Sequence, residues 1–127
     1  MRILALDVGK KNVGIAFCDT EIGIVFPRKA IVVKSTDKAL EEIKNIVGKD
    51  KVDKIVVGLP LNFNSSRSHI QEFVEEFTQK LKEKISVDIE FFDERFTTKI
   101  ASLFSSENID SISAKILLED YIKSKKL

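Results

Sequence analysis

Four acids stand where a solvated surface does not account for them. Asp7 ends the apolar run Ile3 to Leu6, Asp93 and Glu94 end the run Val87 to Phe92, and Asp110 opens the last helical pattern. A carboxylate beside an apolar run is costly to bury unless it is paired or holds a metal. Three or four carboxylates gathered at one rim repel one another unless a cation sits between them. Oxygen ligands in that number suit Mg2+ or Mn2+. Two such ions, about 3.5–4 Å apart, serve in-line attack of water on a phosphodiester. Metal-assisted phosphodiester hydrolysis is therefore the chemistry that these residue types would carry. Each acid also has a plainer role. Asp7 and Asp93 suit turns, through hydrogen bonds from their side chains. Glu94 and Arg95 suit a surface ion pair of little energetic weight. Asp110, after Ile109 and four before Ala114, suits a helix N-cap with a hydrophobic staple.

The same rim collects groups that could hold phosphates. Lys10, Lys11, Arg67 and Arg95 are expected close to it, Asn62 leaves the fourth strand there, and Asn12 closes the Gly9-Lys10-Lys11-Asn12 turn. Phosphate contacts fix the register of a nucleic acid, although isolated basic side chains are more often simply solvated. His69 has no Cys or His partner in metal-ligand spacing and reads as a surface residue. Cys18 lies in an apolar strand and reads as a small buried hydrophobe.

Positioning these residues requires a particular set of elements. Residues 2–8 and 13–18 are two strands joined by a Gly-containing turn, a hairpin signal. Gly14 predicts a bulge or a close backbone approach. Ile22 to Val33 is predicted as a third strand, kept at the sheet edge by Pro27. Ser35 or Thr36 caps a helix whose apolar face is Ala39, Leu40, Ile43, Ile46 and Val47, stopped by Gly48. Ile55 to Pro60 is a short continuous apolar run, the mark of a buried parallel strand. A loop over Leu61 to Ser66 precedes a helix carrying Ile70, Phe73, Val74, Phe77 and Leu81. A fifth strand follows over Val87 to Phe92, then a short helix over 97–104, then a helix from about Asp110 whose lysine-rich end is expected to fray. Alternation of strand and helix after residue 34 implies parallel crossovers. The fold class is α/β: a mixed five-stranded sheet, three antiparallel strands then parallel ones, flanked by helices. Strands one, four and five should be parallel neighbours, and chemistry gathers at the carboxyl ends of such strands.

With 127 residues the chain suits a single domain, 1–127, large enough to fold without a staple. A formal charge of +1 makes any basic footprint local. One cysteine excludes an internal disulfide, and no run is long enough to span a membrane. The N-terminus does not have the pattern of a signal peptide, so the expected location is cytoplasmic.

Four stretches together resemble a known family: Ala-Leu-Asp7-Val-Gly9-Lys-Lys-Asn-Val-Gly14-Ile-Ala, Val-Val-Gly58-Leu-Pro60-Leu-Asn62, Asp93-Glu94-Arg95-Phe-Thr97-Thr98 and Asp110-Ser-Ile-Ser-Ala114-Lys-Ile-Leu-Leu. In order and spacing, over nearly the whole chain, they resemble the YqgF family. That family, also called RuvX, comprises Holliday-junction-resolvase-like proteins described as pre-16S ribosomal RNA nucleases. The resemblance implies an RNase H-like fold and a magnesium-dependent nuclease site. It implies Asp7, Glu94 and Asp110 as the catalytic, metal-binding carboxylates, with Asp93 as an alternate for Glu94. Arg95, Thr97 and Thr98 would shape the end of strand five or contact the nucleic-acid backbone. The chain departs from the family pattern at Asn12, where a basic residue is usual, and at Asn64-Ser65, where Asp-Gly is usual. Ser113-Ala114 and Leu118-Glu119 stand in place of a pair of alanines and a Leu-Gln pair.

The function implied is processing of the 5′ end of pre-16S rRNA in ribosome biogenesis, with precursor rRNA, branched DNA and ribosomal particles as candidate partners. The alternatives are a Holliday junction DNA resolvase, which favours a two-fold dimer, and a non-catalytic RNA-binding assembly factor. A nucleotide-binding lobe like those of sugar kinases and actin is a further reading, but such proteins close two lobes over ATP. The expected state is a monomer or weak homodimer.

Overall fold

The run that ends in Asp7 forms β1 (Arg2–Val8), in which Ile3 to Leu6 are wholly buried. A strand buried on both faces needs a layer on each side. The computed structural model describes residues 1–59, 69–93 and 109–127, the side chains of Ile109 and Asp110 excepted. Within these residues β1 is followed by β2 (Asn12–Asp19), β3 (Ile24–Val32), α1 (Thr36–Lys49), β4 (Lys54–Leu59), α2 (His69–Lys84), β5 (Asp88–Asp93) and α3 (Ile109–Lys125). The strands form a mixed sheet in the order β3-β2-β1-β4-β5. The pairs β1–β2 and β2–β3 are antiparallel, and β1–β4 and β4–β5 are parallel. The strand carrying Asp7 is thus the central one, as the sequence predicts.

The two faces of the sheet have separate cores. Leu4, Leu6, Val13, Ile15, Ile55 and Val57 pack with Leu40 and Ile43 of α1 and with Val74, Phe77 and Leu81 of α2. Ile3, Ala5, Ala16, Cys18 and Val56 pack with Ala114, Leu117, Leu118 and Tyr121 of α3. Each large side chain so buried contributes about 1.5–3 kcal/mol.

Edge and end chemistry follow the sequence in most places. Pro27 lies in β3, an edge strand, opposite Ala16. Ser35 caps α1, its hydroxyl accepting from the Lys38 amide at 3.2 Å. Gly48, however, lies inside α1 and does not stop it. The left-handed residue is Lys51 (φ 51), and the Val52 amide returns to the Val47 carbonyl at 3.0 Å, a Schellman closure. Ile22 and Gly23 belong to the turn before β3, with Gly23 at φ 81 and its amide on the Asp19 carbonyl at 2.9 Å. Ile70 is 59% exposed, because it lies in the first turn of α2, beyond the sheet contact made by Val74 and Phe77.

The lysine-rich end of α3 is tied down where the sequence suggests fraying. Lys125 Nζ lies 3.4 Å from Glu90 Oε2, and Lys54 Nζ lies 2.8 Å from Glu90 Oε1. The Tyr121 hydroxyl donates to Glu90 at 3.3 Å, and the Tyr121 ring meets Phe92 edge-on at 5.5 Å. Lys126 (φ 57) and the Leu127 amide on the Ile122 carbonyl at 3.0 Å close the helix. The Lys54 ammonium, through its hydrogen bond, holds the Glu90 carboxyl below the usual range. The hydrogen bonds of Lys54 to Glu90 and Tyr121 raise the Lys54 ammonium above the usual lysine range. This network seats α3 across the amino ends of β4 and β5. The short helix predicted over 97–104 and the loop over Leu61 to Ser66 lie outside the described residues.

Candidate nuclease site

Strand pleating settles which face Asp7 occupies. Side chains alternate along a strand, so Asp7 shares the α3 side with Ile3 and Ala5, while Leu4, Leu6 and Val8 face α1 and α2. Its direct partner on β2 is Gly14. The register Leu6↔Val57 brings Gly58 of β4 to the same level on the other side. Asp7 therefore has no neighbouring-strand side chain beside it, although both glycines are buried. An oxygen donor at the carboxyl end of a rigid central strand is the kind of group that a hard cation takes.

The backbone brings a second acid to that level. Lys29 and Ala30 of β3 stand opposite the single Gly14, a bulge bounded by the pairs Val13↔Ile31 and Ile15↔Arg28. Bulges re-aim strands next to functional sites. The Ser111 hydroxyl of α3 donates to the Arg28 carbonyl at this bulge. The first turn of α3, which includes the backbone of Asp110, is thus tied to β3, one row along from the level of Gly14 and Asp7 and on the far side of β2 from β1. Asp110 is the second residue of the helix, inside its first turn, rather than the cap in front of it. A cavity of about 340 Å3 adjoins this junction, lined by Pro27, Arg28, Lys29, Ser111 and Ile112.

Asp93 shares the rim but not the face. It ends β5 in phase with Ile89 and Phe91, which pack on the α1 and α2 side, whereas Glu90 and Phe92 turn to α3. The single-residue alternation of a strand separates Asp93 from Asp7 even though β1, β4 and β5 run parallel. Their separation by β4 widens the gap further. Glu94, Asn62, Arg67, Arg95, Thr97 and Thr98 lie outside the described residues, as does the side chain of Asp110. Among the described residues no three His, Cys, Asp or Glu side chains cluster as a metal site.

The hairpin turn is shaped by a close approach at Gly9. Its amide donates to the Asn12 carbonyl at 2.9 Å, and a Cβ on Gly9 would lie 2.8 Å from that oxygen. Lys10 leans toward α2, with its ammonium 6.0 Å from the Phe73 ring centroid, a contact at the limit of cation–π attraction. Lys11 is exposed and its carbonyl accepts the Val33 amide at 2.8 Å. Asn12 is half-buried and pairs with Val32. His69 is exposed at the start of α2. Cys18 is buried among apolar side chains; burial first, then the Asp19 charge, pushes its thiol up, which suits a packing residue rather than a nucleophile.

The bulge expected at Gly14 is present, whereas its place level with Asp7, and Gly58 and Ser111, are site features the sequence reading missed. The signal for the glycines was their position: each falls level with Asp7 once the strands are registered. Ser111 had only its place next to Asp110.

The sheet order, the acid on its middle strand and the helix packed across that acid's face define an RNase H-like protein of the resolvase type. Among solved structures, Thermus thermophilus RuvC in complex with a Holliday junction substrate has this fold, with a TM-score of 0.66 at 10% identity, over 98% of this chain and 96% of that one. A Caldanaerobacter subterraneus protein named "Putative pre-16S rRNA nuclease" is 38% identical, over 99% of each chain. A Clostridium botulinum protein of the same name is 38% identical, over 98% of each. The RuvX family, described as a Holliday junction resolvase, matches residues 1–124. The chain belongs to the RuvX family, also called YqgF, and is by that membership a nuclease.

Proposed function

We propose that the chain is a metal-dependent endonuclease that hydrolyses phosphodiesters of structured RNA, processing the 5′ end of pre-16S rRNA. One observation carries the reading: Asp7 ends the central strand with glycines on both sides, on the face where α3 brings the backbone of Asp110. Asp110 also stands four residues before Ala114 and seven before Leu117, both wholly buried against the sheet. In this reading Asp7, Glu94 and Asp110 hold Mg2+ or Mn2+. When bound, such ions supply a nucleophile at neutral pH and stabilise the charge of an in-line displacement. Asp93 is set aside as a ligand by its strand phase. Lys10, Lys11, Asn12, Asn62, Arg67, Arg95, Thr97 and Thr98 take roles in gripping and orienting the phosphate backbone. The rRNA substrate is supported by the names of the relatives. The protein acts as one domain, 1–127, in the cytoplasm, as a monomer or weak homodimer and with ribosomal particles as partners. Among the described residues no helix is long and apolar enough to cross a membrane.

The likeness to the junction resolvases supports a second reading, cleavage of four-way DNA junctions. The test is cleavage of a pre-16S rRNA fragment and of a DNA junction at matched salt, with Mg2+, with Mn2+ and with EDTA. The proposal expects metal-dependent cut of the RNA and little of the junction. Preferential cutting of the junction would replace it by the second reading. Tight RNA binding without cleavage under any metal condition would leave a non-catalytic assembly factor.

A further inference from the structure

We infer that Ser111 is a positioning residue for the metal site: its hydroxyl, given to the Arg28 carbonyl, sets the height of the first turn of α3 against the strands that hold Asp7. The inference rests on the proposed assignment of Asp7 and Asp110 as metal ligands. It concerns a residue that does not itself touch substrate or ion.

Four observations converge on it. Ser111 is 3% exposed, so its hydroxyl cannot exchange freely between protein and water. Its acceptor is a backbone carbonyl of β3, and a backbone acceptor cannot swing away as a side chain would. That acceptor flanks the bulge opposite Gly14, and Gly14 is the direct partner of Asp7. Finally, Ser111 is the next residue after Asp110, so any axial shift of the first turn moves both together. Asp7 pairs with Gly14 on β2, the pairs Val13↔Ile31 and Ile15↔Arg28 join β2 to β3 on either side of the bulge, and the Ser111 hydroxyl joins β3 to α3. The other end of α3 is fixed separately, by Tyr121 and Lys125 on Glu90, about 15 and 21 Å away along the helix. That distant anchor restrains the helix as a body and does not by itself set the height of its first turn. Among the described residues Ser111 is a polar tie from the first turn of α3 to β3, and the cavity of about 340 Å3 beside it leaves that turn without tight packing on one side.

Groups that hold metal ligands in place commonly change metal affinity by about 10–100-fold when removed. Misplacement by about 1 Å can cost about 100-fold in rate. The test compares Ser111→Ala, Ser111→Thr and a control, Ser113→Ala, which removes another buried hydroxyl from the same helix. Mn2+ affinity by calorimetry, kcat and KM on the RNA substrate, and Tm in EDTA are measured for each. Ser111→Ala should bind Mn2+ about tenfold more weakly and lose about ten- to a hundredfold in kcat, with KM nearly unchanged. Ser111→Thr, which keeps the hydroxyl and has the cavity to take its methyl, should recover most of both. Ser113→Ala should match the wild type. If Ser111→Ala does not fold, Ser111→Cys, of similar volume but a poor donor, takes its place with the same expectation. Wild-type Mn2+ affinity and kcat in the folded Ser111 variant would overturn the inference, as would equal losses in Ser113→Ala. Asp7→Asn is run in parallel: full Mn2+ affinity and cleavage in that variant would overturn the site assignment itself, a separate failure from that of Ser111.

Discussion

At the scale of the residue, the account turns on what stands beside Asp7. Gly14 and Gly58 flank it on the neighbouring strands. A methyl group at either position would project from the same face of the sheet as the carboxylate. Gly58→Ala is therefore expected to weaken Mn2+ binding roughly tenfold, a loss of the size seen when a ligand's surroundings are disturbed. Circular dichroism and calorimetry on the same sample check that the strand survives while affinity falls; unchanged affinity would show that the space is not used. Gly9 answers to a different constraint, since a Cβ there would meet the Asn12 carbonyl at 2.8 Å. Gly9→Ala should destabilise the hairpin by about 1–3 kcal/mol, read as a lower urea midpoint with an unchanged m-value. The acid at Asp7 was legible in the sequence because a charged residue interrupts an apolar run. The placing of Asp93 is also a residue-scale matter. Sequence shows that an acid ends a strand, but which face it takes depends on the register of the whole strand, and here a single position moves it from α3 to the opposite layer.

At the scale of the element, α3 is the part that must be held accurately, and it is held at both ends. Glu90 at the base of β5 takes Lys54 at 2.8 Å, Lys125 at 3.4 Å and the Tyr121 hydroxyl at 3.3 Å. Its carboxyl is held below the usual range chiefly by the Lys54 hydrogen bond. A depressed carboxylate adds stability above its unfolded pKa, and that stability is lost as pH falls through the folded value. Lys54, raised by the same contacts, keeps its side of the pair through neutral and mildly alkaline pH. Glu90→Gln should thus lower Tm by about 2–5 °C at pH 7, an effect limited by the partial exposure of the group. The difference from wild type should begin to shrink as pH falls below the usual glutamate range and continue to shrink through the lowered folded value. A constant difference across that range, followed by differential scanning calorimetry, would show that the charge plays no part. The helix was predicted from its start and its composition, and its lysines suggested a frayed end. The end is solvated, as expected, but Lys125 also meets an acceptor on β5, 35 residues away, which helix-local reasoning does not see.

At the scale of the whole molecule, a mixed sheet with separate cores on its two faces sets the carboxyl ends of β1, β4 and β5 at one rim. Much of this was readable in advance. Pro27 demanded an edge strand, the unbroken apolar run at Ile55 demanded a buried parallel one, and the switch in period after residue 34 demanded crossovers. The parallel neighbours β1, β4 and β5 were expected from the crossovers, while the exact register that sets side-chain faces was not readable from periodicity. A near-neutral molecule with a formal charge of +1 must grip its nucleic acid locally. Lys11→Ala is accordingly expected to weaken binding evenly across sequences and to reduce the slope of log K against log salt by about 1; an unchanged slope in a titration between low and physiological salt would remove Lys11 from the interface. The central claim is that Asp7, fixed on the middle strand, is a metal-holding catalytic carboxylate. The most direct measurement is Mn2+-dependent cleavage of a pre-16S rRNA fragment by wild type and by Asp7→Asn, with matched circular dichroism spectra. The account predicts that the variant stays folded and loses at least about a hundredfold in kcat; equal cleavage by the two proteins would contradict it.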